Sequence, residues 1–187
     1  MKTNSFVIKN IFVILVFMFS FSQMYSKEKK ETRKERKERE KKEQAAKFEV
    51  AKQLILDSAF VIPADRITLK SGVTGIVQSN INFVKVYKKQ GVLQVSPTHS
   101  SELGLNGLGG FTIKGDITNY EVKDKGDKIY VRIYLKDNFV NAIINISLYG
   151  SVSATIDVSG MFKGSAFTMY GNINLLGNVN IFEGSSF

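Results

Sequence analysis

The chain has 187 residues, a formal charge of +9, a single histidine and no cysteine. Without cysteine it carries no disulfide, no thiol nucleophile, no thiolate metal site and no acceptor for a lipoprotein anchor. The basic total invites a nucleic-acid reading, but residues 27–47 hold 11 Lys/Arg against 6 Glu while residues 48–187 hold 13 against 11. The body therefore lacks the basic stripe that nucleic-acid readers present, and no nucleic-acid partner is expected.

The chain opens on "MKTNSFVIKN", then "IFVILVFMFSFSQ". Lys2 and Lys9 precede an apolar core from Ile11 to Phe21, and Ser20 and Ser22 are the small residues that a cut after Ser22 requires. A cut as late as Ser26 fits too. Eleven apolar residues rise about 16 Å as a helix, roughly half a bilayer core, so a secretory signal peptide over residues 1–22 is favoured over a spanning helix. The chain is expected to be exported, periplasmic or secreted.

Residues 23–43 form a charged leader, helical or disordered. Glu35–Arg39 and Glu38–Lys42 fall at i,i+4, each such pair contributing a few tenths of a kcal/mol. A segment polar all round cannot join a core, and charge at the a and d positions excludes a true coiled coil. A solvated spacer is favoured over electrostatic contact of residues 27–43 with an anionic surface, which stays as the weaker partner expectation. From Gln44 the pattern changes: Ala45, Phe48, Ala51, Leu54 and Ile55 recur at three- and four-residue steps and predict a docked helix ending near Asp57-Ser58.

Residues 44–187 read as one β-rich domain carrying that helix. In "KIYVRIYLK" (128–136), Ile129, Val131, Ile133 and Leu135 alternate with Tyr130, Arg132, Tyr134 and Lys136. Further strands are predicted at 82–87, 92–96, 111–122, 141–149 and 152–159, with Gly150-Ser151 as a hairpin. Short connections favour a meander over parallel βαβ units. The fold class is mainly β (α+β): a curled, barrel-like antiparallel meander of about eight strands with one N-terminal helix packed on it. The Asn-rich "GNINLLGNVNIFEGSSF" at 171–187 is read as a last hairpin or edge strand.

Candidate chemistry is sparse. His99 lies among small polar loop residues and has no second His or Cys to share a metal. The four glycines of "GLNGLGG" (104–110) are not followed by the Lys-Ser/Thr of a phosphate loop; they suit a lid over a cavity. Asp124 and Asp127 sit in a turn, where the side chain satisfies its own backbone. No catalytic residue, metal ligand or cofactor is expected, and the chain is read as a non-enzyme.

The succession "EQAAKFEVAKQLILDSAFVIPADR" (43–66), "VQSNINFVKVYKKQGVLQV" (77–95) and "GGFTIKGDITNYEVKDKGDKIYVRIYL" (109–135) resembles the Bacteroidetes family called domain of unknown function 4251. Phe60, Ala64-Asp65-Arg66, Ser79-Asn80, Asn82-Phe83, Gly110, Phe111, Gly115 and Asn119-Tyr120 carry the resemblance, which spans roughly residues 40–172. It implies an exported envelope protein of mainly β fold and no assigned activity. The chain departs from the family pattern after Val95, where "SPTHSSELGLNGLGG" replaces an aromatic and glycine-rich segment.

The functional expectation is a non-catalytic binding module for a small apolar or glycan-like ligand; the alternative is a structural or protein-interaction component of the envelope. Candidate ligand-binding residues are Asp65, Arg66, His99, Phe111 and Tyr120. For Asp65 and Arg66 an internal ion pair is favoured over ligand contact. A solidly packed interior would count against a cavity, whereas an apolar void beneath the glycine loop would favour one.

Overall fold

The computed structural model describes residues 32–96, 110–160 and 166–186. The chain divides into two units, residues 1–39 and 40–187. In the first, Thr32 caps the helix α1 (Arg33–Leu56): its Oγ1 accepts from Glu35 N at 3.2 Å while its own N donates to Glu35 Oε2 at 2.8 Å. This reciprocal capping box satisfies two amide donors that the first helical turn leaves unpaired. Thr32, the one residue that breaks the charge run, is therefore its start signal.

In the second unit the described residues form nine strands after α1: β1 (Ala59–Leu69), β2 (Thr74–Ile76), β3 (Phe83–Tyr87), β4 (Gln90–Val95), β5 (Phe111–Asp124), β6 (Lys128–Lys136), β7 (Asn141–Tyr149), β8 (Ser153–Ser159) and β9 (Ala166–Asn172). All pairings are antiparallel. Strands β3 to β9 run in sequence order, and β9 returns to pair with β1, closing an eight-stranded barrel; β2 is an extra strand on β1. Closure removes the unpaired edges that an open sheet of this size would expose.

The seam lies on β1, whose first half pairs with β3 and second half with β2 along one edge, while β9 runs along the other. A bulge between Ala64 and Arg66 bends β1 where these pairings change. Opposite the bend sits Gly171, where an added Cβ would stand 2.0 Å from the carbonyl oxygen of Pro63. Only glycine lets the two backbones approach this closely.

The alternation read from "KIYVRIYLK" is realised: Ile129, Val131, Ile133 and Leu135 are buried inside the barrel, together with Phe60, Ile62, Leu93, Ile113, Ile144, Ile146, Leu148, Ile156 and Val158. Val152 lies just before β8 and is partly buried against this core. The helix covers one barrel end. Phe48, Ala51 and Ile55 join the same core, and Lys52 reaches Asp124 in the β5–β6 turn at 3.4 Å. Ser58, in a left-handed conformation (φ 51°), ends the helix by donating its N to Ile55 O at 3.0 Å.

The C-terminal expectation is corrected. Residues 173–186 form neither a hairpin nor a strand; beyond one bridge, Val61 to Asn174, they run as an irregular strap. Its Leu176, Val179 and Ile181 pack on Val61, Phe83 and Val92, which point outward from β1, β3 and β4. These strands are apolar on both faces because a second layer covers them there. Alternation in the strap itself is read by a sheet surface below, not by a partner strand.

Candidate functional site

With α1 closing one end, the other end of the barrel is formed by the last residues of β1 and β4, the first of β5 and β9, and by β2. An apolar cavity of about 480 Å³ opens there. Leu69, Val73, Ile76 and Val77 line it on the β1–β2 side and Val95 and Phe111 on the β4–β5 side, with Ile67 and Phe167 between them. The rings of Phe111 and Phe167 meet edge to face at 6.2 Å. The opening is rimmed by apolar side chains in water: Leu69, Val73 and Ile76 are 53%, 62% and 83% exposed. Among the described residues that line it, none carries a titratable or hydrogen-bonding side chain. The described lining can desolvate an apolar group.

Of the five residues singled out from sequence, the four that are described do not converge. Phe111 forms part of the cavity wall. Asp65 and Arg66 are exposed on β1, and the ion pair expected between them is not formed: the Arg66 guanidinium lies 4.2 Å from the centre of the Tyr170 ring. The aromatic ring across the seam gives the cation its partner. Tyr120 sits at the closed end, its hydroxyl donating to Ile55 O at 2.7 Å. Burial pushes its pKa up to about 12, and a hydrogen bond with Ser58 offsets part of that rise. Its role is to hold the helix end on the barrel. His99 lies outside the described residues, as does all but Gly110 of the loop 104–110 expected to act as a lid.

The residues that sequence reasoning missed are those of the β1–β2 hairpin. Leu69, Val73 and Ile76 flank a Lys-Ser-Gly turn, and nothing in a three-residue strand signals that its apolar side chains border a void. Two buried amides were missed as well. Asn82 accepts from Ser96 N at 2.7 Å and donates to Ser96 O at 3.1 Å and Gln78 O at 2.8 Å, standing in for a strand's own backbone. Gln94, fully buried, donates to Ile81 O and Phe182 O at 3.0 and 2.8 Å, and accepts from Thr112 Oγ1 and Gly184 N at 3.0 and 2.8 Å. All four hydrogen-bonding positions of that amide are filled, which makes its burial affordable and latches the strap. Glu183 completes the latch with Lys85 at 3.1 Å and Lys114 at 2.7 Å.

These features define a class: a closed antiparallel barrel, stoppered by a helix at one end and lined at the other, among the described residues, by apolar side chains around a cavity. The sequence model of the family described as Domain of unknown function (DUF4251) matches residues 42–173. The chain belongs to that family. A crystal structure of a DUF4251 family protein from Bacteroides eggerthii DSM 20697 is similar to it at 28% identity, covering 79% of this chain and 99% of that one, with a TM-score of 0.64. No curated protein matches the chain. Four of the residues that carry the family resemblance are explained by architecture: Phe60 fills the barrel, Asn82 clamps Ser96, Phe83 lies under the strap and Tyr120 secures the helix. Gly110 and Phe111, which carry it too, line the cavity.

Proposed function

We propose that the chain is an exported, non-catalytic binding protein whose open barrel end takes a small apolar ligand. The observation that carries this reading is the cavity of about 480 Å³ whose described lining is Ile, Leu, Val, Phe and Gly alone. That volume falls within the roughly 300–1,000 Å³ of small-molecule pockets. A glycan does not suit this cavity, because sugar hydroxyls transferred there would lose their water without gaining a partner, at several kcal/mol in total by the usual order of magnitude. Export rests on the signal-peptide pattern of residues 1–22, and residues 27–43 serve as a solvated leader with at most weak attraction to anionic surfaces.

The test is native mass spectrometry of protein recovered from the periplasm, together with titration of the fluorescent apolar probe N-phenyl-1-naphthylamine. A retained apolar mass and saturable fluorescence are expected, with affinity weakened several-fold in Phe111→Ala and in the exposed-rim variant Ile76→Ser. Absence of probe binding, or affinity indifferent to both substitutions, would refute the assignment. The exposure of Leu69, Val73 and Ile76 also suits the structural alternative, in which the rim docks another envelope protein. A stable protein partner in the mass spectrum without any small ligand would favour that reading.

A further inference from the structure

Outside the barrel, away from the cavity mouth, the face of β5–β6–β7 carries a second arrangement. Glu121, Arg132 and Asn145 form one cross-strand row; Lys123, Tyr130 and Ser147 form the next. Lys125 enters from the adjoining turn, its ammonium 5.6 Å from the Tyr130 ring centre. A concavity of about 320 Å³ opens among these side chains.

The charges here are not matched in the ordinary way. Glu121 stands directly opposite Arg132, the position from which opposite charges on paired strands usually join. Instead the Glu121 carboxylate accepts from Asn119 Nδ2 at 2.8 Å, and Arg132 donates Nε to Asn145 Oδ1 at 2.9 Å. Asp157, next along the row, is taken by Thr168 Oγ1 at 2.7 Å. Asp124, at the turn, accepts from Gly126 N at 2.8 Å and lies 3.4 Å from Lys52. The acids are engaged by other donors, and among the described residues Lys123, Lys125 and Arg132 enter no ion pair. With Nε bound to Asn145, the outer edge of the Arg132 guanidinium is held in place with two nitrogens to spare.

We propose that this concavity is a second binding site, for a sugar-sized ligand bearing a phosphate or carboxylate group. Lys123, Lys125 and Arg132 against the single carboxylate of Glu121 leave the lining net positive, which calls for an anion, and an oriented guanidinium suits a planar or tetrahedral oxyanion taken by two parallel hydrogen bonds. Asn145 and Ser147 add donors and acceptors for hydroxyls, and Tyr130 adds an amphipathic ring beside them. The volume is near the low end for small-molecule sites, matching a single ring rather than a chain. Because residues 48–187 hold 13 Lys/Arg against 11 Asp/Glu, the cluster is a local concentration and not a consequence of a generally basic body.

The full mature chain is titrated calorimetrically at low salt with glucose 6-phosphate, glucuronate, glucose, inorganic phosphate and a single-stranded oligonucleotide. Saturable binding of at least one acidic sugar is expected, tighter than glucose or inorganic phosphate. Loss of one charge-assisted contact lowers affinity by about tenfold or more, so Arg132→Gln and the independent Lys123→Gln are expected to weaken it by that factor. Both side chains are exposed, and an unchanged melting temperature separates lost binding from lost folding. Phe111→Ala leaves this binding intact, which distinguishes the site from the cavity. Vesicles of phosphatidylcholine with and without phosphatidylinositol identify the source: inositol-dependent sedimentation competed by glucose 6-phosphate assigns a lipid headgroup, and binding of free sugar alone assigns a soluble ligand. Failure of every acidic sugar and of the vesicles to bind overturns the proposal. So does equal affinity for glucose or inorganic phosphate, indifference to both substitutions, or tighter binding of the oligonucleotide.

Discussion

Removing the Tyr120 hydroxyl tests how the helix is held on the barrel. Tyr120→Phe deletes one partly buried hydrogen bond, to Ile55 O at 2.7 Å. That carbonyl also accepts from Ser58 N at 3.0 Å, so it is not left unpaired, and the cost should stay near the ordinary net value of about 1 kcal/mol. Alkaline pH adds an independent signature. Burial raises the folded-state pKa from 10.0 to about 12, so between these values the unfolded chain loses a proton that the native state keeps. The native state is therefore favoured fully below pH 10 and progressively loses that advantage as pH rises through 12, by about 1.4 kcal/mol at about pH 11. Urea denaturation of both proteins at about pH 8 and about pH 11 measures the difference. Wild type is expected to lead by about 1 kcal/mol at the lower pH, with the gap closing at the higher. A gap unchanged by pH would refute the assignment of a buried, protonated phenol; no gap at the lower pH would refute the hydrogen bond.

Three further outcomes follow from the same contacts. At Glu183 burial raises the pKa, but hydrogen bonds from Lys114 and Lys85 outweigh it and hold the carboxyl below its usual 4.5; the latch should thus be intact above that value and weaken as pH falls through it. Protection factors of residues 179–184, each taken against the intrinsic exchange rate at the same pH, should fall on acidification in wild type, and should already be low and far less pH-dependent in Glu183→Gln. Gln94→Leu strands the partners of a fully buried amide and should cost roughly 2–4 kcal/mol by chemical denaturation, against under about 1 kcal/mol for an exposed Gln such as Gln53. Gly171→Ala forces a Cβ to within 2.0 Å of Pro63 O at the closing seam and should lower the melting temperature by several degrees or prevent folding, while Gly75→Ala, with nothing within 4 Å, should change it little.

The barrel strands were legible because their faces differ. Ile129 to Leu135, and Ala142 to Leu148 beside them, alternate strictly between core and solvent, and a period of two survives in sequence whatever the strand's neighbours are. The helix was legible from Phe48, Ala51 and Ile55 for the same reason at a longer period. The strap was misread because its alternation matches that of an edge strand, and a side chain packing on a sheet's outer face leaves the same pattern as one packing within it. The cavity was illegible for a different reason. It is set by which strand ends come together, and Leu69, Val73, Ile76, Val95, Phe111 and Phe167 come from five separate strands and one turn with no spacing in common.

Sequence by itself determined the absence of thiol chemistry, the uneven placement of charge, the end of the docked helix near Asp57-Ser58, and a meander of alternating strands, since each depends on residue type or on neighbours a few positions away; it placed the start of that helix at Gln44, eleven residues after its first residue, Arg33. Only the tertiary structure decided that β9 closes on β1, that the Tyr120 hydroxyl secures a helix end, and that an apolar cavity lies at the other end of the barrel. Those outcomes depend on distances between residues far apart in the chain: Gly171 must admit Pro63, Gln94 must reach Phe182, and the acids beside Arg132 must find other donors before the cations are left exposed.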